Sequence, residues 1–287
     1  MTKRVKTAPL RGTVRQAGLE AAIPWPAECT ILDVRVHDVI MGEAMHLMEA
    51  MVRSSGSHHV VTVNPEFIMT ARANEAFREV LNRADLAIPD GMGVVLASGL
   101  LGKRIRQRVT GVDAVEQFAR IASKRGYRCF FLGAAPGVAR RAADLLQQRY
   151  PGFLVAGTYA GSPRPEEEEE ICSIIENAAP DALFVAYGSP HQDLWIDRTR
   201  ERLRIPVSMG VGGALDFIAG IVPRAPRWMH RLGLEWLFRL IDQPARWRRM
   251  LALPLFAAMV LAQFLRSGRA RSRDIRRSAN TISPTAF

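Results

Sequence analysis

The chain has 287 residues and is 48% hydrophobic, enough for one large core or for one domain with an appendage. Three widely spaced cysteines, Cys29, Cys129 and Cys172, form no CxxC pair, which argues against a disulfide framework or a zinc site and fits a reducing cytoplasm. The net charge of +11 is unevenly placed: residues 221–287 carry thirteen arginines against three acids, and the first 220 residues are close to neutral. Such asymmetry points to a polyanionic partner, either nucleic acid or an anionic membrane.

Residues 1–30 are basic and rich in proline and small residues, with no continuous apolar run; they read as a poorly ordered tail without a signal peptide. From there short β-branched runs alternate with helical patterns. A strand is predicted at 59–63, followed by one helix over 65–84, where Ala73, Phe77, Val80, Leu81 and Ala84 recur at helical spacing. A second strand at 86–88 ends on Pro89-Asp90-Gly91. A helix at 112–125 and a strand at 128–132 lead into the turn Gly133-Ala134-Ala135-Pro136-Gly137 and another helix.

A strand at 153–157 precedes a helix opened by five glutamates, 166–170, which complement the helix dipole. Strands at 182–187 and 207–209 enclose a helix at 191–203, and a short helix follows at 214–219. Strands alternating with helices of this length imply an α/β fold: a Rossmann-like, mostly parallel sheet flanked by helices. Its sites are expected where strand carboxyl ends turn toward helices.

After Gly220 the character changes. Arginine-rich helical sequence containing Trp228, Trp236 and Trp247 leads into an almost wholly apolar stretch, 250–265. As a helix it spans ~24 Å, short of the roughly 20 residues that a bilayer core needs. Flanking arginines and tryptophans favour an interfacial helix on a membrane surface; the plain alternative is a core helix at a subunit contact.

Several common chemistries lack their motif. There is no GxxxxGK[ST], no strand-borne GxGxxG, no HExxH, no GxSxG elbow, and no Asp-x-Asp pair to hold a metal on a nucleotide diphosphate. The glycine-rich turns remain, and these can bring backbone amides and helix N-termini to phosphates. Asp90, between Pro and Gly at a strand end, could serve as a general base, or simply bond its own turn. Asn64, before Pro65, fits a helix N-cap, and Ser189-Pro190-His191-Gln192 fits a capping box.

Taken in order, these segments resemble one family. They are Thr62-Val63-Asn64, Pro89-Asp90-Gly91, Leu132-Gly133-Ala134-Ala135, Gly188-Ser189-Pro190 with Gln192, and Gly210-Val211-Gly212-Gly213 with Asp216. Arg224-Ala225-Pro226, the run Gly233-Leu234-Glu235-Trp236-Leu237 with Arg239, and 249–254 continue the pattern. The chain is similar over about residues 30–265 to the WecG/TagA/CpsF glycosyltransferases, family twenty-six. The resemblance implies a metal-independent, inverting enzyme at the cytoplasmic face of the bacterial inner membrane. Such an enzyme would move a hexose, N-acetylmannosamine or a relative, from a UDP-sugar to an undecaprenyl-diphosphate-linked sugar.

By the same resemblance Asp90 is the general base, Thr62 and Asn64 lie beside the donor sugar, and Gly133, Ala134, Gln192, Gly212, Gly213 and Asp216 belong to the UDP pocket. Arg239, Arg246 and Arg249 complete the active site against the diphosphate. Their spacing, i, i+7 and i+10, puts them broadly on one helical face, which Pro244 interrupts. The implied plan is a tail at 1–30, a UDP-sugar-binding catalytic domain at 31–220, a membrane-docking helical appendage at 221–265 and a disordered basic tail at 266–287. Expected partners are the UDP-sugar, the lipid-linked acceptor and an anionic membrane; no nucleic acid and no cofactor are expected, and a homo-oligomer is compatible with the sequence. Two rivals remain: a nucleic-acid-binding protein would explain the basic tail, but that tail contains an apolar 16-residue stretch and no known binding motif appears, and a non-catalytic membrane scaffold of the same fold would not need Asp90.

Overall fold

The computed structural model describes residues 25–226, 228–229, 235–244 and 247–281; the side chains of Arg239, Arg248, Arg249 and residues 267–281 lie outside the described set. Its centre is a six-stranded sheet built from β3 (His58–Val63), β4 (Leu86–Pro89), β5 (Arg128–Gly133), β6 (Leu154–Tyr159), β7 (Ala182–Ala186) and β8 (Val207–Gly210). The strand order is β4-β3-β8-β7-β5-β6 and every pairing is parallel. Strands β3, β4, β7 and β8 are buried throughout, as expected of a parallel sheet covered on both faces.

Alternation along each strand divides the core. Val60, Ile88, Phe131, Phe184 and Met209 face one layer, formed by α1 (Met41–Arg53), α5 (Gly111–Arg125), α6 (Val138–Arg149) and α9 (Ala214–Ile218). On the opposite face Phe130, Leu132, Leu183 and Val185 pack on α7 (Pro165–Ala178) and α8 (His191–Leu203). Val61, Val63 and Ala87 pack there on α2 (Pro65–Ala73), α3 (Glu75–Arg83) and α4 (Met92–Leu100).

The single helix expected over 65–84 is two. Asn74 leaves helical geometry (φ −130°, ψ 102°), and its side chain accepts from the Phe77 amide at 3.0 Å, so it caps α3 while its own amide closes α2. The folded body also begins inside the stretch assigned to the N-terminal tail. A hairpin of β1 (Glu28–Ile31) and β2 (Val34–His37) turns through Leu32 and Asp33, both at positive φ, the twist that two-residue hairpins favour.

The C-terminal segment forms α10 (Glu235–Asp242), α11 (Trp247–Met250) and α12 (Ala252–Thr281). Helix α12 extends beyond the 265 boundary read from the sequence. Its apolar start is neither wholly a surface helix nor wholly core. Phe256 and Val260 are buried among Val63, Phe67, Ile68 and Val94, whereas Leu255, Leu261 and Leu265, and Leu251 just before the helix, are at least half exposed. Gln263 fastens the helix to the hairpin: its Oε1 accepts from the Leu32 amide at 3.0 Å and its Nε2 donates to the Thr30 carbonyl at 3.4 Å. Among the described residues no helix is long and apolar enough to cross a membrane.

Candidate active site

Strand β4 ends on Pro89, and the Asp90 amide continues the ladder to the Val63 carbonyl at 2.8 Å. The carboxylate is thereby held at the carboxyl edge of the sheet. Gly91 (φ +154°) makes this possible, because a Cβ there would lie 3.2 Å from Pro65 Cδ and 3.4 Å from Asn64 Cβ. Asp90 Oδ2 accepts from the Gly111 amide at 3.3 Å, at the start of α5. A Cβ on Gly111 would meet Thr62 Cγ2 at 3.3 Å, so Thr62, Asp90 and Gly111 converge on one spot. Thr62 is buried there; Asn64 lines the opening and also caps α2, its Oδ1 accepting from the Phe67 amide at 2.9 Å.

Above Asp90 lies a cavity of about 610 Å³. Its polar lining residues are Asn64, Glu66, Asp90, Arg108, Thr110, Arg224 and Glu235. The Arg108 side chain is only 10% exposed and donates to Glu235 Oε2 at 2.8 Å, tying the body to α10. Arg224 pairs with Asp113, which is itself held by the Thr110 hydroxyl at 2.7 Å. The opposite wall comes from the C-terminal segment, including Trp236, Phe238, Met250, Leu253 and Phe256. The C-terminal helices therefore enclose the strand-end carboxylate. The largely buried Arg108 and the more exposed Arg224, in the same cavity as the carboxylate, can oppose negative charge developing on a bound group.

A second cluster lies across β8. A Cβ on Gly133 (φ +96°) would come within 2.8 Å of the Ala186 carbonyl carbon, so the ends of β5 and β7 touch only because this residue is glycine. Ala134 follows at φ +62° and donates its amide to the Ala186 carbonyl at 3.1 Å. Neighbouring β5 and β7 are the strands from which the chain leaves in opposite directions, toward β6 and β8. Crevices at such points are where open α/β sheets bind ligands.

Gln192 is fully buried, and its Oε1 accepts from the Gly212 amide at 2.8 Å. It pins the turn after β8 rather than closing a capping box, since the cap of α8 is Pro190 and makes no side-chain bond. Gly213 starts α9. There Asp216 lies in the first turn, and the adjacent Phe217 reaches the cavity beside Asp90. Helix α9 thus joins the two clusters.

A family model for the WecG/TagA/CpsF glycosyl transferases matches residues 29–270. The chain belongs to that family. It is 36% identical over 216 residues to an N-acetylglucosaminyldiphosphoundecaprenol N-acetyl-beta-D-mannosaminyltransferase of Bacillus spizizenii, covering 75% of this chain and 83% of the relative. It is 37% identical to the Bacillus subtilis protein of the same name, over 71% of this chain and 79% of that one. A Staphylococcus aureus protein of that name is 34% identical over 71% of this chain and 80% of the relative.

In this WecG/TagA/CpsF glycosyl transferase the three appendage arginines do not share one helix. Arg239 lies on α10 and Arg249 on α11, separated by a break after Asp242; their side chains, and the whole of Arg246, lie outside the described residues. Arg108, Arg224 and Glu235 are cavity residues that the sequence reading gave no role. A local signal existed: Thr110-x-x-Asp113 before an apolar run is a helix-start pattern, and the structure uses it, with Thr110 Oγ1 accepting from the Asp113 amide at 3.2 Å. It marks the loop that carries Arg108 into the cavity that Asp90 lines.

Proposed function

We propose that this glycosyl transferase inverts the anomeric centre of a UDP-linked hexose and moves it to a lipid-diphosphate-linked sugar, with Asp90 as general base. The observation that carries the reading is Asp90 at the carboxyl end of β4, in a cavity that also contains Arg108 and Arg224. The acceptor hydroxyl attacks the anomeric carbon from the face opposite UDP, and Asp90 takes its proton. The bond from that carbon to the diphosphate oxygen breaks, and its electron pair leaves with UDP. The relatives' names supply the expected substrates, an N-acetylmannosaminyl donor and N-acetylglucosaminyldiphosphoundecaprenol as acceptor.

The β5–β7 crevice, with the amides around Gly133 and Ala134 and the turn at Gly212 and Gly213, is the proposed UDP site, and Asp216 lies at its edge. Fixed donors would meet the leaving diphosphate in place of a metal ion. The sequence has no Asp-x-Asp, and among the described residues no three His, Cys, Asp or Glu side chains are grouped to hold one. The proposed location is peripheral, on the cytoplasmic face of the inner membrane. Exposed Trp236, Trp247, Leu251, Leu255, Leu261 and Leu265 support apolar docking, and the arginine-rich C-terminus supports attraction to anionic lipid.

The test is a panel of UDP-sugars incubated with purified protein and a short-chain N-acetylglucosaminyl-diphosphate lipid, with UDP release and product mass as readouts. Transfer from UDP-N-acetylmannosamine, unchanged by EDTA, is expected. No transfer from any UDP-sugar refutes the donor, and loss with EDTA restored by magnesium or manganese refutes the metal-free mechanism.

A further inference from the structure

The cavity above Asp90 has an apolar arm that sugar chemistry does not need. Its apolar lining includes Leu96, Ala97 and Leu100 of α4 and Leu253, Ala257 and Val260 of α12. Leu96 and Leu100 are one helical turn apart and 68% and 42% exposed, so this arm reaches the surface. Ala97 and Ala257 are small side chains in this lining. Gly93 lets α4 start close against α2: a Cβ there would lie 2.7 Å from Pro65 Cγ.

Two kinds of exposed leucine are therefore present. Leu255, Leu261 and Leu265 of α12 are exposed without lining the cavity, as residues that only meet a membrane would be. Leu96 and Leu100 belong to the catalytic body, and they line the same cavity as the carboxylate. An apolar path leading from a polar reaction centre to the surface fits a ligand with a polar head and a long apolar tail.

We infer that the cleft between α4 and α12 holds the first isoprenoid units of the acceptor lipid while its sugar hydroxyl lies at Asp90. This inference rests on the lipid-linked-acceptor reading above and names where the lipid goes. The enzyme then recognises the tail itself and does not use it solely to concentrate substrate at a membrane.

The experiment uses full-length protein without vesicles or detergent. Two soluble acceptors share the N-acetylglucosaminyl diphosphate head, one ending in methyl and one in a three-isoprene chain. Burying the chain is expected to lower KM by at least about tenfold relative to methyl. In a Leu96→Gln, Leu100→Gln variant that melts like wild type, that ratio should fall toward one. Equal KM values in the wild-type protein, or an undiminished ratio in the variant, overturn the cleft and leave the leucines as a membrane surface. A photoreactive three-isoprene diphosphate gives a readout independent of turnover. It should label peptides containing Leu96 and Leu253 and be displaced by unlabelled prenyl diphosphate but not by inorganic diphosphate; labelling elsewhere overturns the cleft. Absence of transfer to either acceptor, with α4 and α12 still labelled, refutes the transfer reaction and retains the cleft.

Discussion

Asp85 and Asp90 bracket one four-residue strand, β4, and meet opposite surroundings. At the amino edge Asp85 is enclosed by its own fold: Oδ2 accepts from the His59 amide at 2.9 Å and from Arg200 at 2.7 Å, and His58 lies 3.6 Å from Oδ1. Burial pushes its pKa up, but the nearby His58 imidazole, the Arg200 charge and the His59 amide outweigh this and bring it down from 3.8 to about 2. At the carboxyl edge Asp90 lines a cavity large enough for a ligand. The same type of side chain is thus tied into the fold at one end and faces an open cavity at the other. The chain turns toward helices at the carboxyl edge, and that geometry leaves room for a substrate.

Substitutions at the two edges of β4 should therefore act differently. Asp85→Asn removes one partner of a buried ionic group and leaves Arg200 uncompensated; it should cost about 3–5 kcal/mol of stability, with turnover per folded molecule retained. Denaturant titration and active-site-normalised rates check this. The depressed pKa also fixes a direction with pH. The Asp85 contribution is complete above pH 3.8, its ordinary value, and is lost as pH falls through about 2. The acid-unfolding difference between wild type and Asp85→Asn should therefore shrink across that window.

Arg108→Ala probes the other edge. Removing a cation from the reaction cavity should lower turnover by about 10²–10³. A wild-type rate would reduce Arg108 to a tether for α10. Glycines give the smallest effects. Gly126 (φ +75°) ends α5 with nothing near its absent Cβ, whereas Gly133 (φ +96°) abuts the Ala186 backbone. Gly126→Ala should cost about 1 kcal/mol and leave UDP affinity alone. Gly133→Ala should cost more, about 1–3 kcal/mol of backbone strain, and weaken UDP binding in calorimetry. Equal effects on UDP would argue against the β5–β7 crevice as the donor site.

The parallel sheet was legible because strands buried on both faces are short apolar runs punctuated by turn residues, and helix faces between them repeat at helical spacing. Strands β3, β4, β5, β7 and β8 lie within a residue of their expected bounds, and β6 is displaced by one or two. The β1–β2 hairpin gave no signal, since its left-handed turn is Leu32-Asp33 rather than a glycine pair. Helix α4 is apolar almost throughout, so its sequence has little amphipathic contrast. At the site, Asp90 was visible from its local turn, but Arg108 owes its placement partly to Glu235, 127 residues away. Phe256 and Val260 illustrate the same limit. Hydropathy marks the segment as apolar, and only the tertiary structure separates the residues that join the core from those that remain exposed.

Proton transfer is proposed to fall to the carboxylate at the carboxyl end of β4, Asp90. Its most direct test measures sugar transfer from the UDP donor to a soluble acceptor by Asp90→Asn, alongside UDP binding by calorimetry on the same preparation. Turnover should fall by about 10²–10⁴ with UDP affinity nearly unchanged. Near-normal turnover in that variant would contradict this role and return Asp90 to a turn-forming residue.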